Sequence, residues 1–311
     1  MSGLTLKGPY WVAARQHRRA LWAVPAVVAA ALVAVIALRI GAGDTDTGGG
    51  AGVAWTNDGY LLLRICMEKA ATGLLFLPLL VGAFVAGPMT ARELESGTWR
   101  LALTQSSTPK AWLGSKVGVA AIVSLLGSAA FVAVYRIGWA RVTGTYRFHW
   151  ADRGTYEATG PVLAAYCLLG VAVGVLIGQL VRRTLAAMAL TGILTGLVML
   201  ALGALRWSIL PVETGTVPLS GHASQAMPYS ALMIDTGLVT SRGEHLPEYV
   251  CSERFQDTVS CPAGIDVTGR YAEFHPVSHY WPTQLVESSL VLVLAGVALF
   301  AAFRLVAARR A

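Results

Sequence analysis

The sequence predicts an all-α polytopic membrane protein with six transmembrane helices, cytoplasmic N- and C-termini and an amphipathic interfacial helix at the N-terminus. Three observations carry this. Hydrophobic residues fill 55% of the 311 positions and charged residues only 13%, well below the roughly 25% of a soluble domain. Six runs are long enough to cross a bilayer, which takes roughly 20 apolar residues at about 1.5 Å each. The basic residues, finally, are concentrated in alternate connecting segments.

The six runs are Leu21–Leu38, Ala71–Pro88, Val117–Tyr135, Pro161–Val181, Leu185–Leu205 and Gln284–Phe303. Backbone polar groups cannot go unpaired in lipid, so each run is expected to be helical. The alternating pattern of a membrane β-barrel is absent. The first run is longer than a signal-peptide core, and "ALRIGAG" is a weak cleavage context, so it is expected to stay as a span. With a cytoplasmic N-terminus, segments 1–20, 89–116, 182–184 and 304–311 are inside. They hold 13 of the 24 Lys and Arg residues in 59 positions, with two acids. The outside segments 39–70, 136–160 and 206–283 hold 11 basic and 14 acidic residues in 135 positions. That asymmetry matches the positive-inside rule and accounts for the net charge of +7. It leaves no soluble basic groove, so nucleic acid is not an expected partner.

Along the chain, "TLKGPYWVAARQHRRALW" places Pro9 at a helix start. Tyr10, Trp11 and Trp22 suit the interface, and Arg15, Arg18 and Arg19 share one face, which predicts an amphipathic helix along the inner surface. "GAGDTDTGGGAG" is a flexible stretch of the first outer loop. Only "RRT" separates runs four and five, so they form an antiparallel hairpin, and Thr184 can cap the fifth helix. Gly170, Gly174 and Gly178, with Gly192 and Gly196, give helix faces that allow close packing, within the chain in preference to between subunits.

The loop 206–283 is the largest soluble piece and contains Cys251 and Cys261. On an oxidising side these can form a disulfide worth on the order of 2–3 kcal/mol. Cys66 and Cys167 read as free thiols. His275 and His279 are four apart, but no third ligand stands beside them, so no metal site is expected.

Chemistry-bearing motifs are missing. There is no phosphate loop G-x-x-x-x-G-K-[ST], no H-E-x-x-H and no G-x-S-x-G. The six runs hold one charged residue, Glu287, which is expected to snorkel to the headgroups. That argues against a membrane-embedded enzyme or an ion-coupled carrier, both of which place ionisable groups within the bilayer.

The polar island "ARELESGTWRLALTQSSTPKAWLGSK" (91–116) interrupts this apolar pattern on the cytoplasmic side. Pro88 can begin its helix. Leu94, Thr98 and Leu101 share one face, while Arg92, Glu95 and Ser96 face elsewhere. Gly97 is a bend, and Ser107 or Thr108 caps a following helix with Pro109 at its first position. The island reads as helix, turn, helix.

Glu93 or Glu95, Gly97-Thr98, Leu101, Thr108-Pro109 and Lys116 resemble the cytoplasmic segment of ABC transporter permeases of the type-2, exporter-like class. "ARE-E-GT-RLA-TQS" is similar to actinobacterial members, as is "LVRRTLAAMALTG". Members often have Arg after the turn, where this chain has Pro109-Lys110. The resemblance implies one permease domain over 1–311 in the cytoplasmic membrane. It also implies a separate nucleotide-binding subunit that carries ATP and magnesium, and a second permease chain. No cofactor is expected in this chain, and it is not itself an enzyme. The coupling residues implied are Glu93, Glu95, Gly97, Thr98, Arg100, Leu101 and Pro109, with both carboxylates directed at basic groups of the ATPase. The rival reading is a stand-alone membrane scaffold or sensor with a ligand-binding outer loop.

Overall fold

The computed structural model describes residues 15, 18–43, 58–99, 108–143, 149–254, 258–262 and 264–308. The described chain is mostly helical and contains six helical stretches long and apolar enough to span a membrane. These are α1 (Arg18–Gly41); α2 (Asp58–Leu80), running through a π-helical segment (Val81–Ala86) into α3 (Gly87–Ser96); α4 (Pro109–Val142); α6 (Val162–Val181); α7 (Thr184–Leu205); and α8 (Tyr280–Ala308). A short α5 (Thr155–Thr159) precedes α6.

Most helices outrun their apolar cores. The second is helical from 58 to 96 and the third from 109 to 142, because polar residues at either end continue the helix past the hydrocarbon. Pro88 therefore does not open a new helix. It sits inside a continuous one, where the π segment just before it loosens the hydrogen-bond ladder. Pro9, Tyr10 and Trp11 lie outside the described residues.

By its internal contacts the chain divides into two compact units. The first comprises 1–148, 152–205 and 284–311, and the second 149–151 and 206–283. In the first, α6 is the central helix: 72% of its apolar window is buried, against at most 28% in the other five. Glycine is the reason α6 can sit there. A methyl at Gly174 would lie 2.5 Å from Ala86 Cβ, and one at Gly178 would lie 2.9 Å from the Gly87 carbonyl. Gly170 meets Pro78 and Gly82 in the same way, so α6 lies backbone to backbone along the second helix. A methyl at Gly192 or Gly196 of α7 would stand in ordinary contact with that helix, 3.5 Å from Ala83 Cβ and 3.6 Å from Leu79 Cδ2.

The second unit adds β-structure to this helical framework. It holds a four-stranded antiparallel sheet of order β1-β6-β2-β3, from β1 (Glu213–Pro218), β2 (Leu232–Thr240), β3 (His245–Pro247) and β6 (Val267–His275). Strands β4 (Ser252–Arg254) and β5 (Thr258–Ser260) form a hairpin, and Cys251 and Cys261 at its base are disulfide-bonded. Cys66 and Cys167 are free. Tyr271 stacks on His245 at 4.1 Å and donates to Asp235 at 2.9 Å. Burial, together with the Asp235, Glu273 and Glu248 carboxylates, pushes its phenol up to about 12.

Candidate functional site

The polar elbow is built by three helix ends of the first unit. Helix α3 stops at Ser96 because Gly97 turns left-handed at φ 73°, a conformation that favours glycine. The Ser96 and Thr98 hydroxyls close over that turn at 2.9 Å. Leu94 and Thr98 therefore do not share a helical face, since the helix has ended between them. Arg100 and Leu101 lie outside the described residues. The next described helix, α4, starts with Pro109 in its first turn, and the Thr108 side chain accepts from the Ala111 N–H at 3.1 Å.

Both elbow carboxylates bond inside the chain. Glu93 pairs with the Lys116 ammonium and accepts from Trp112 Nε1 at 3.1 Å. The Lys116 side chain is only 6% exposed and Glu93 22%. Lys116 also donates to the Met89 carbonyl at 3.3 Å and lies 5.1 Å from the Trp112 ring centre. A buried ammonium requires such partners, so Glu93 is the counterion that permits Lys116 to enter the packing. Around it Met89, Trp112, Leu113, Val175 and Val306 form one apolar core.

Glu95 accepts from the Thr184 N–H at 2.9 Å and from the Thr184 hydroxyl. The expected capping role is thus reversed: Thr184 donates, and a carboxylate from α3 caps α7. A negative charge at that position also matches the positive end of the helix dipole. Between them the two acids tie α3 to the starts of α4 and α7. Lys116, Trp112 and Thr184 are bonding partners of these acids that the local pattern did not reveal, because each is brought in from another helix. The exposed edge of the elbow is Glu95, Ser96, Gly97 and Thr98.

A second polar group occupies the part of the first unit around α5. All five α5 residues are buried, although 136–160 reads as an outer loop. Glu157 accepts from the Gly154 N–H at 2.7 Å. Gln284 donates to the Tyr156 carbonyl at 2.7 Å and accepts from Val162 N–H at 3.2 Å. Arg136 donates to the Thr159 carbonyl at 2.6 Å. Glu287 does not snorkel: it is 1% exposed and accepts from the Tyr166 hydroxyl at 2.7 Å. The central position of α6 explains this, since it supplies a buried hydroxyl where the sequence suggested only lipid. Gly154 and Gly160, bracketing α5, were the sequence signal for a buried turn.

In the second unit, His275 Nδ1 and His279 Nδ1 lie 3.0 Å apart. His275 Nε2 faces the Trp207 carbonyl at 3.0 Å and must donate to it, which leaves Nδ1 of the neutral ring as acceptor for His279. Burial holds the His275 imidazole below its usual range.

Residues 26–206, more than half of the chain, match the family described as ABC-2 membrane transporter related. No curated protein and no solved structure matches the chain.

Proposed function

The chain belongs to the ABC-2 membrane transporter related family, and from that premise we propose that it is the permease subunit of an ATP-driven exporter. Its membership and its six membrane-spanning helices make it a multi-pass component of an ABC transporter. The family implies association with a nucleotide-binding subunit. In the proposed reading, that subunit holds ATP and magnesium, two permease chains form the pathway, and the membrane is the cytoplasmic one. The positive-inside distribution supports a cytoplasmic elbow.

The observation that carries the reading is the bonding of the elbow. A partner pressing on Ser96–Thr98 acts on α3, and α3 is tied through Glu93 to α4 and through Glu95 to α7. One push is thereby shared by three helices. In this reading Glu93 and Glu95 position the elbow, while Gly97 and Thr98 offer the contact. Arg100 and Leu101 continue that contact by resemblance, and Pro109 opens the helix that receives the push.

The test is Thr98→Trp, at a position exposed in the elbow. Tagged wild-type permease should co-purify with a subunit whose peptides contain a phosphate loop, and the complex should hydrolyse ATP. Thr98→Trp should lose that subunit while remaining monodisperse. Undiminished co-purification and hydrolysis would show that the elbow is a solvated connection and would favour the scaffold reading.

A further inference from the structure

We infer that the first unit carries a binding site for one alkyl chain of a bilayer lipid, between α1, the second helix and α4. The observation is a cavity of about 100 Å³. Its walls are Leu21 and Val24 of α1, the Leu77, Val81, Val85 and Met89 stripe of the second helix, and the face of α4 from Val119 to Phe131, with Cys167 of α6 alongside.

The chemistry of the walls selects the occupant. Water needs two to four polar partners to occupy a cavity. Among the described lining residues the hydroxyls are those of Ser124 and Ser128, and that of Ser128 turns back onto the Ser124 and Leu125 carbonyls of its own helix. An empty space would forfeit dispersion contacts along its whole lining. The solvent around these helices is hydrocarbon, and Val85, a wall residue, is 38% exposed on the outer surface of the unit. Entry is therefore sideways from the bilayer. The lining runs from Val119 to Phe131, about 18 Å at about 1.5 Å per residue. One leaflet of hydrocarbon is about 15 Å deep, half of about 30 Å, so the lining can follow an acyl chain along its length, while the cavity itself, smaller than the roughly 150 Å³ that holds one benzene ring, takes in a short segment of that chain.

A second observation concerns the walls themselves. Pro25 interrupts α1 one residue past Val24. Pro78 and the π segment Val81–Ala86 interrupt the second helix within the lining stripe. Prolines and π segments are where helices bend, so both movable walls are deformable where they border the cavity. A chain inserted there holds those helices apart, and the second helix is the one that ends in the elbow. The inference needs only the membrane placement of the helices, not the identity of the energy source.

The test uses purified permease in nanodiscs of phosphatidylcholine, a fraction of it carrying a mid-chain diazirine. After illumination, adducts are mapped by peptide mass spectrometry. Wild type should be labelled at the inward Val81, Val123 or Cys167, as well as at the outward Phe84 and Ile122. Filling the cavity with Ser124→Leu should abolish the inward adducts and leave the outward ones. Val81→Phe fills it from the opposite wall, with Val123 and Cys167 as inward reporters, should Ser124→Leu not yield monodisperse protein. Adducts confined to Phe84 and Ile122 in the wild type, or inward adducts that persist in the filled variants, would overturn the proposal. Co-purification of the nucleotide-binding subunit is read separately and reports on the permease reading alone.

Discussion

The Glu93–Lys116 pair makes an asymmetric prediction. In Glu93→Gln, the Lys116 ammonium stays buried at 6% side-chain exposure with the Met89 carbonyl and the face of Trp112. Breaking a buried pair by removing one partner costs about 3–5 kcal/mol. The residual carbonyl and ring contacts bring our expectation to the low end, about 3 kcal/mol. In Lys116→Met the volume is nearly kept, and Glu93 retains the Trp112 N–H and 22% exposure. Water can then replace the lost ammonium, and the cost should be about 1–2 kcal/mol. With both changes no buried charge remains, so the double variant should lose less than about 1 kcal/mol, far below the sum of the singles. The assay is equilibrium unfolding of purified permease in mixed micelles with rising sodium dodecyl sulfate, run as a double-mutant cycle. Expected tolerance ranks the double variant above Lys116→Met, and Lys116→Met above Glu93→Gln. If the two singles were equally damaging and simply additive, the pair would be uncoupled and its part in fixing the elbow refuted.

Three further outcomes are expected. Single cysteines placed near Ser107 and near Glu244 should label from opposite sides of the membrane; labelling of both from outside would break the six-span topology. Gly178→Leu should destabilise by about 1–3 kcal/mol through overpacking, because even a Cβ there would stand 2.2 Å from Thr90 Oγ1 and 2.9 Å from a backbone oxygen; size-exclusion profiles should show aggregation, whereas Gly114→Ala, with open space around it, should behave as wild type. Finally, the folded-state pKa of His275 lies below its ordinary value of 6.5 through burial, so its contribution is full above about 6.5 and is lost as pH falls below that, when the unfolded state alone takes up the proton. Protease resistance of the second unit should therefore drop between pH 7.5 and pH 5, and His275→Gln should flatten that drop; identical wild-type digestion at both pH values would refute it.

The membrane framework was legible because its cause is local. Each apolar run must be helical in lipid whatever it packs against, and the glycines at 170, 174 and 178 announce a close neighbour without saying which. The partner had to come from the structure: the second helix, at the Pro78 to Ala91 contacts. The elbow was legible as a turn, since Gly97, Thr108 and Pro109 act on their own backbone. The destinations of Glu93 and Glu95 were not, because Lys116 and Thr184 are 23 and 89 positions away in the chain. The same holds for Glu287, whose apparent exposure to lipid rested on sequence position until Tyr166, 121 positions earlier, was seen to donate to it. The sheet of the second unit gave a weak signal: its strands are short and carry polar residues on both faces, and the residues that align β6 with β1 and β2 are 27 to 61 apart.

That sheet has a consequence for the order of events during synthesis. Its two long pairings both involve β6, which lies between β1 and β2. Strands β1 and β2 are made early and have no partner in each other; β1 pairs with β6 from Glu213 opposite Phe274 to Pro218 opposite Gly269. Until the last strand has been made, β1 is an edge waiting for its neighbour and β2 has only the short β3 beside it. Strand β6 is followed almost at once by α8, so the second unit closes only as the final span is made. A chain that stalls or is cut before residue 275 would thus present unpaired strands to solvent, a state that folding physics exposes to aggregation and that quality-control proteases can recognise. Completion of the sheet then reports on completion of the membrane part, and an unfinished chain is marked by its open edges.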